Sequence, residues 1–312
     1  MIGCQQQSQN WLLLNFEKNV PVTYHLTSTR KVTINLTGGP SDKKTKPQTS
    51  SETLDLVITY TPTDVDPFGL TRIVAECKSA KVTRTSLSGK RNVADAMEQL
   101  AGKTFTLQLS PTGEIADDAD LRRITSELGE KAFAISGDGA QRIKNPDMIS
   151  DFIVMQWHLW DSTSTVEEPL EGMTPGKKWH VNQWIPWPIP VNSLPSRKTT
   201  YTLDSFITEE NQPKKAVIKS TYAISETKKQ DFPFPYEGRF QMRGMMGFLR
   251  NYKFLSLDGG GTQIFNMADG LIESDEQHYT MKVNATFMLP LGDSLPVLDV
   301  DQTISIKRID TP

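Results

Sequence analysis

The sequence is poor in the residues that build covalent or metal-bound frameworks. Among 312 residues there are two cysteines, Cys4 and Cys77, and four histidines. Two cysteines cannot form a disulfide network, and neither belongs to a Cys-x-x-Cys pair or to a zinc-type spacing. The histidines do not show the spacing of a metal site or a catalytic triad. We therefore expect no metal, no cofactor and a fold held together by its core.

Excess charge and long apolar runs are also missing. The chain carries 34 Lys and Arg against 37 Asp and Glu, a net charge of -3. With such a balance the protein has no strong positive electrostatic potential to attract nucleic acid, so a nucleic-acid partner is not expected. Apolar runs such as Trp11–Leu14 are far shorter than the roughly 20 residues that cross a bilayer as a helix. No membrane-spanning helix is predicted.

Catalytic motifs are equally scarce. The Gly-x-Ser-x-Gly motif of α/β-hydrolases is absent. The glycine run in Leu257–Thr262 lacks the Gly-Lys-Ser/Thr ending and the spacing of phosphate-binding loops, so we interpret Asp258–Gly261 as a hairpin loop. The sequence therefore predicts a protein that is not an enzyme.

What the sequence does have is period-2 alternation of apolar and polar residues along most of its length. The clearest run extends from Tyr279 to Leu289, and others lie in Lys31–Thr37, Thr53–Thr61 and around Phe105 and Tyr201. One apolar and one polar face are typical of antiparallel strands covered on a single side. We predict an α+β, β-rich fold with a curved antiparallel sheet packed on a few helices.

Two segments predict hairpins of similar pattern. Gly102–Ile115 turns at Ser110–Gly113, and Gly261–Ile272 turns around Ala268–Gly270. The similarity is compatible with an internal duplication and equally with chance.

Helical periodicity is confined to three segments. Val93, Met97 and Leu100 have helical spacing with Asn92 as a cap, and Leu121, Ile124 and Leu128 predict a second helix. A third helix is expected from about Pro146, with Asn145 at its N-cap. The broad apolar face of this third helix should pack on the sheet, and its residues are Ile149, Phe152, Ile153, Gln156, Trp157 and Trp160.

We divide the chain into three regions. Residues 1–10 form an N-terminal tether, residues 11–166 a first β-rich half with the helices, and residues 167–312 a second β-rich half that shares one continuous sheet with the first. The boundary falls in the loop Glu167–Lys178, which is rich in Pro, Glu and Gly.

Aromatic and methionine placement supplies the candidate binding residues. Five of the six tryptophans fall between Trp157 and Trp187. They either line a groove for an apolar or sugar-like ligand or belong to the core. The segment Phe240–Leu249 combines three methionines with two glycines and is either an adaptable binding rim or core filling. The candidate ligand- or partner-binding residues are Trp160, Trp184, Trp187, Met245 and Met246.

The first ten residues carry a possible modification signal. Gly3 and Cys4, followed by the polar stretch Gln5–Asn10, resemble the cleavage end of a bacterial lipoprotein signal, in which the cysteine receives the lipid. The apolar run that precedes such a cysteine is absent. A lipid anchor at Cys4 is the expected membrane contact, with a cytoplasmic chain as the alternative.

Several longer stretches resemble a known group of proteins. These stretches are Trp11–Leu36, Gly102–Ile115, the Pro175–Trp179 turn before a strand, and Tyr279–Leu289 leading into Asp301–Ile309. They are similar to uncharacterised β-rich bacterial envelope lipoproteins and, in outline, to the half-barrel lipoprotein carriers. The resemblance implies a strongly curved, half-barrel-like sheet that wraps a helix, and it carries over no catalytic residue.

Three hypotheses for function follow. The first is a non-enzymatic binding or structural protein of the cell envelope, in the periplasm or outer envelope, that serves as a subunit of a larger assembly. The second is a periplasmic carrier of a lipid or another apolar ligand in a concave sheet. The third is a hydrolase with an unrecognised site. The partner is accordingly a protein or an apolar ligand.

Overall fold

The architecture is dominated by one antiparallel sheet of eleven strands. The computed structural model describes residues 10–35, 47–85, 95–135, 141–143, 148–166, 172–187, 194–210, 213–227, 229–236, 241–242, 249–287 and 296–310. The strands of the large sheet are β1 (Val22–Asn35), β2 (Gln48–Val65), β3 (Thr71–Thr85), β4 (Thr104–Leu109), β5 (Ile115–Asp117), β8 (Lys178–Trp184), β9 (Ser196–Ile207), β10 (Lys215–Ile224), β12 (Leu249–Asn266), β13 (Leu271–Phe287) and β14 (Val297–Ile309). Their order is β5-β4-β3-β2-β1-β14-β13-β12-β10-β9-β8.

The first and last strands lie side by side inside this sheet. β1 pairs with β14 from Thr23↔Ile309 to Asn35↔Val297, and it pairs with β2 on its other side. Strands from both sides of residues 167–178 therefore belong to one hydrogen-bonded sheet.

A second, small sheet holds the remaining described strands. It consists of β6 (Phe133–Ile135), β7 (Gln141–Ile143) and β11 (Gln241–Met242), in the order β11-β7-β6. The β7–β11 pair is parallel.

The alternation in the sequence becomes a buried inner face and a polar outer face. In β2, Leu54, Leu56, Ile58 and Tyr60 are fully buried. The outer face carries cross-strand threonine pairs that bond through their hydroxyls, at Thr29–Thr53 and Thr33–Thr49. Such pairs satisfy polar groups without needing a second layer. The predicted one-sided antiparallel sheet is confirmed.

Both predicted hairpins are present. β4 and β5 pair across the turn near Ser110, where the Gly113 N–H donates to the Ser110 carbonyl. β12 and β13 pair across residues 267–270.

The predicted loop at Asp258–Gly261 is wrong, because these residues lie within β12. A Cβ at Gly261 would stand 2.8 Å from the Tyr222 hydroxyl and 2.9 Å from the Ser220 hydroxyl. A Cβ at Gly259, whose φ is +154°, would stand 2.6 Å from the Tyr279 Cβ. These glycines therefore make room inside the sheet for neighbouring tyrosine side chains.

The first two predicted helices differ in how fully they form. Near residue 97 there is one 3-10 turn, Ala96–Leu100, and the Asp95 carboxylate accepts a hydrogen bond from the Met97 N–H, whereas Asn92 lies outside the described residues. Helix α1 spans Ala119–Ala132 and buries the predicted face.

The third predicted helix is α2, Ile149–Trp160. It begins later than predicted, with Met148 at the N-cap position and no side-chain cap bond, and Asn145 and Pro146 lie outside the described residues. Every residue of α2 except Ser150 is buried, so the helix lies inside the fold.

Contacts of α2 show how strongly the sheet curves. Phe152 packs edge-on against Phe105 of β4, with ring centroids 5.7 Å apart. Trp157 packs edge-on against Trp184 of β8, at 4.9 Å. β4 and β8 lie near opposite edges of the sheet, so the sheet must wrap around the helix to contact it from both sides. The half-barrel-like architecture predicted from the resemblance is confirmed.

Residues 10–21, which we call the N-terminal strap, run across one end of the sheet. The Leu14 N–H donates to the Pro111 carbonyl and the Asn19 N–H to the Pro62 carbonyl. The ring of Phe16 packs against Trp160, with centroids 5.7 Å apart. The strap therefore links this end of the sheet to the C-terminal end of α2.

Candidate functional site

The three tryptophans predicted to bind a ligand or partner are all in the core. Trp160, Trp184 and Trp187 are 1%, 3% and 2% exposed. Trp160 is surrounded edge-on by Tyr24 and Tyr60, with ring centroids 6.0 and 5.2 Å away. A ligand could contact these rings only after the core had opened around them.

The other predicted site residues cannot be placed in the same way. Met245, Met246 and Cys4 lie outside the described residues. Their roles in ligand binding and lipidation remain predictions.

A buried polar network joins α2 to the centre of the sheet. We call it the Asp151 cluster, and it consists of Ser28, Arg30, Glu52, Asp151 and Gln302. The Asp151 carboxylate accepts from Arg30 Nη1 at 2.9 Å and from the Ser28 hydroxyl at 2.7 Å. Arg30 Nη2 donates to Glu52 at 2.8 Å, and Gln302 Nε2 donates to the Ser28 hydroxyl. One helix residue is thereby bonded to residues of β1 and β14.

Electrostatics keep this cluster charged inside the fold. Burial by itself would raise the pKa of Glu52, but the nearby Arg30 and Arg84 guanidinium groups outweigh burial and hold the pKa below its usual range. Burial likewise opposes the charge of Arg30, yet Asp151 and Glu52 raise its pKa. The ion pairs are therefore maintained where an isolated charge would be costly.

A second polar network lies near the C-terminal end of α2. We call it the Arg197 cluster, and it consists of His158, Gln183, Arg197, Tyr222 and Gln277. Arg197 Nη2 donates to the side-chain oxygens of Gln183 and Gln277, at 2.9 and 2.5 Å. Its guanidinium carbon lies 3.8 Å from the centroid of the Tyr222 ring. The buried cation is thus held by amide dipoles and an aromatic face.

His158 brings α2 into this second cluster. Its Nε2 lies 3.3 Å from Arg197 Nη2. Burial lowers the pKa of His158 well below its usual value, and the charges of Arg197 and Lys229 lower it further. The imidazole is therefore neutral at physiological pH, and its Nε2 can accept from the guanidinium.

Asp275 is the carboxylate next to this cluster. Its side chain accepts from Gln277 Nε2 at 2.7 Å. Burial raises the pKa of Asp275 to about 6, although the bond from Gln277 and the charge of Arg197 act in the opposite direction. The carboxylate can therefore be protonated in a mildly acidic medium.

This shift predicts a pH-dependent stability. Because the folded state binds the Asp275 proton more tightly than the unfolded state, this residue's contribution to stability is present at low pH and is lost as the pH rises from about 4 to about 6. We expect Asp275→Asn, which cannot titrate, to gain stability relative to wild type over this window by an amount on the order of 3 kcal/mol. Urea unfolding of both proteins at several pH values measures the difference, and a difference independent of pH would contradict it.

The described residues contain no group of three or more His, Cys, Asp or Glu side chains that could hold a metal ion.

His158 and Asp275 are both buried. Their arrangement with Arg197 is suited to stabilising the fold around α2, since neither group faces solvent.

Two adjacent grooves open at the end of the sheet covered by the strap. One, of about 520 Å³, is lined in part by Phe16, Val20 and Leu271. The other, of about 550 Å³, is lined in part by Glu273 and Lys307. Asp269 and Arg308, which form an ion pair, line both grooves. Each groove is large enough to hold a small ligand.

Sequence reasoning missed the members of both buried clusters. The sequence does contain an indication of them, because these polar residues occupy positions of the apolar face within the alternating runs. Arg30 and Ser28 stand at even spacing from Val32, and Gln277 and Asp275 at even spacing from Tyr279. A polar residue at a position that faces the core predicts a buried side chain that is hydrogen-bonded.

No helix in the described part of the chain is both long enough and apolar enough to cross a membrane.

Comparison with known proteins does not identify a family for this chain. No family model matches this sequence, and no curated protein matches it. Among solved structures, one of lipovitellin, described in terms of its lipid–protein interactions, is similar over 95% of this chain, with a TM-score of 0.43 and 8% sequence identity. This chain spans 25% of that lipovitellin chain. A likeness of this strength assigns neither a family nor a function, so function has to be argued from the geometry of the chain itself.

Proposed function

We propose that this protein is a non-enzymatic binding or structural protein of the cell envelope and a subunit of a larger assembly. The observation that carries the proposal is that α2 fills the hollow of the curved sheet. A carrier holds its ligand in such a hollow, and here the space contains the chain's own helix, with all but one of its residues buried. Binding is then left to the outer surface.

The attachment of α2 supports this proposal. Asp151 near its beginning is bonded to Arg30, and His158 near its end lies against Arg197. Gln156 between them accepts from the Tyr60 hydroxyl at 2.7 Å. Displacing α2 would leave buried polar groups of the sheet without partners, which costs free energy for each group. These bonds favour a permanent core helix over a removable plug.

The chemistry of the interior supports a non-enzymatic role. Catalytic acids and bases must reach a bound substrate. His158 and Asp275, the imidazole and the carboxylate that flank Arg197, are both buried. A hydrolase would need a cleft that brings such groups to a surface.

A place in the envelope, through a lipid at Cys4, is the part of the proposal that rests on sequence alone. The expected partner is a protein, and no cofactor is needed. A cytoplasmic location remains the alternative to test.

Mass spectrometry of protein extracted from its native membrane tests these points together. We expect the denatured chain to begin at Cys4 and to carry acyl chains, and the native protein to appear in a complex of fixed stoichiometry with other protein chains. A monomer that retains one non-covalent lipid per chain would favour the carrier instead. An unmodified chain beginning at Met1 and recovered outside the membrane fraction would contradict the envelope location.

A further inference from the structure

Exposed apolar side chains are concentrated at one end of the sheet. Of the seven described large apolar residues with substantial exposure, five lie where the strap crosses the sheet, and we call this region the strap end. These five are Trp11 (39%), Val20 (49%), Phe68 (86%), Ile207 (39%) and Ile309 (36%). The other two, Ile224 and Leu255, lie toward the opposite end.

Strand register places Ile309 and Ile207 at the strap end. Ile309 pairs with Thr23 at the start of β1, immediately after the strap. Ile207 pairs with Lys215, which pairs in turn with Asn266, the last residue before the β12–β13 turn. That turn lies against the strap, because a Cβ at Gly270 would stand 2.2 Å from the Leu13 carbonyl oxygen.

Phe68 projects from the tip of the β2–β3 hairpin. The Asp66 carboxylate accepts from the N–H groups of both Phe68 and Leu70, at 2.8 Å each. Gly69, with φ of +84°, donates its N–H to the Asp66 carbonyl. The backbone of the turn is therefore fixed by its own hydrogen bonds, so presenting Phe68 to a partner carries no further cost of ordering the backbone.

Four basic side chains at this end form ion pairs with carboxylates, so the surface has no excess of positive charge. Lys18 pairs with Asp64, and Lys215 pairs with Glu273. Lys307 and Arg308 are similarly paired with acidic side chains. A surface with paired charges and exposed aromatic side chains suits the interface of a neutral bilayer better than an anionic surface.

The position of Asn10 connects this end to Cys4. The Asn10 carbonyl accepts from the Met173 N–H, and its side chain accepts from Lys214 Nζ at 2.7 Å. Six peptide steps separate Cys4 from Asn10, and at most about 3.6 Å per step allows a reach of about 20 Å. A lipid at Cys4 would therefore hold the strap end close to the bilayer.

We propose that the strap end is a membrane-contacting surface, in which Phe68 enters the interface of a zwitterionic phospholipid bilayer while Trp11, Val20 and Ile309 rest against it. The orientation relative to a lipid at Cys4 rests on the proposed envelope location. The affinity of the surface for lipid does not, because it depends on the exposed side chains alone.

Vesicle flotation of the full chain carrying Cys4→Ser, which cannot be acylated, tests the surface without the anchor. We expect the protein to float with phosphatidylcholine vesicles, with little change when the salt concentration is raised or when phosphatidylglycerol is added. Phe68→Ser should lower the partition coefficient on the order of tenfold, because the ring carries much of the exposed apolar area. Leu255→Ser, which removes a comparably apolar side chain toward the opposite end, should leave the coefficient unchanged.

Depth measurement supplies an independent readout. Relative to the parent chain, in which Trp11 already lies at the bilayer surface, Phe68→Trp should gain quenching by brominated phosphatidylcholine, whereas Leu255→Trp should not. No flotation, or equal partition of Phe68→Ser and Leu255→Ser, would overturn the proposal and favour a protein partner for this surface. A failure to find acylated Cys4 would overturn the envelope anchor and leave the vesicle result standing, so the two failures can be told apart.

Discussion

Asp151→Ala is expected to lower the free energy of unfolding by about 3–5 kcal/mol. The carboxylate is fully buried and accepts from both Arg30 and Ser28. Without it, Arg30 keeps Glu52 as its acidic partner, but the guanidinium group that faced Asp151 stays buried next to a cavity. Leaving a buried charge with reduced compensation is among the most destabilising single changes.

Urea unfolding followed by circular dichroism measures this effect. Asp64→Ala is the matched control, because its ion pair with Lys18 is largely exposed and should contribute no more than about 1 kcal/mol. Asp151→Asn, which keeps an acceptor for Ser28, should fall between the control and alanine. A loss below about 1 kcal/mol for Asp151→Ala would show that the cluster does not hold α2 in the sheet.

Trp160→Ala is expected to lower the free energy of unfolding by about 3–5 kcal/mol. The indole is 1% exposed and is enclosed by Phe16, Tyr24 and Tyr60. Alanine would remove these edge-to-face contacts and leave a cavity between α2, the strap and the sheet. Such rigidly packed surroundings collapse only in part, so the cavity adds to the cost.

Thermal and urea unfolding distinguish the two interpretations of Trp160. For a core residue the loss is in stability, and Phe68→Ala, at an 86% exposed aromatic residue, should change stability by less than about 1 kcal/mol. For a residue that lines a ligand groove, Trp160→Ala would weaken binding of an apolar probe and leave stability nearly unchanged. The second pattern would contradict the filled hollow on which the proposed function rests.

The sheet was predictable because its alternation is local. In Tyr279–Ala285 each apolar residue follows the last by two positions, which is the period of a strand with one covered face. The helix α2 was predictable from its apolar content, but its first residue was not, because the observed N-cap residue, Met148, makes no side-chain cap bond. Helix boundaries without a capping side chain leave little trace in sequence.

The glycine run in β12 misled the sequence interpretation for a tertiary reason. Glycine is more common in turns, and Gly261 within a strand is explained by the Tyr222 and Ser220 hydroxyls on one neighbouring strand and the Glu276 carbonyl on the other. Arg197 is also explained by tertiary contacts. It lies four positions before Tyr201 and therefore on the same face of the predicted strand. The residues that bond it come from β8, β13 and α2, and local sequence does not predict such pairings.

The pairing of β1 with β14 has a consequence for the order in which the molecule can form. Since β1 is made first and β14 last, the sheet lacks one of its central strands until translation has passed Ile309. Until then the nascent chain presents two open hydrogen-bonding edges, on β1 and on β13, where the finished molecule has a continuous ladder. The sheet therefore cannot be completed before β14 has been made, and loss of that strand would split the sheet at its middle rather than shorten it at its rim.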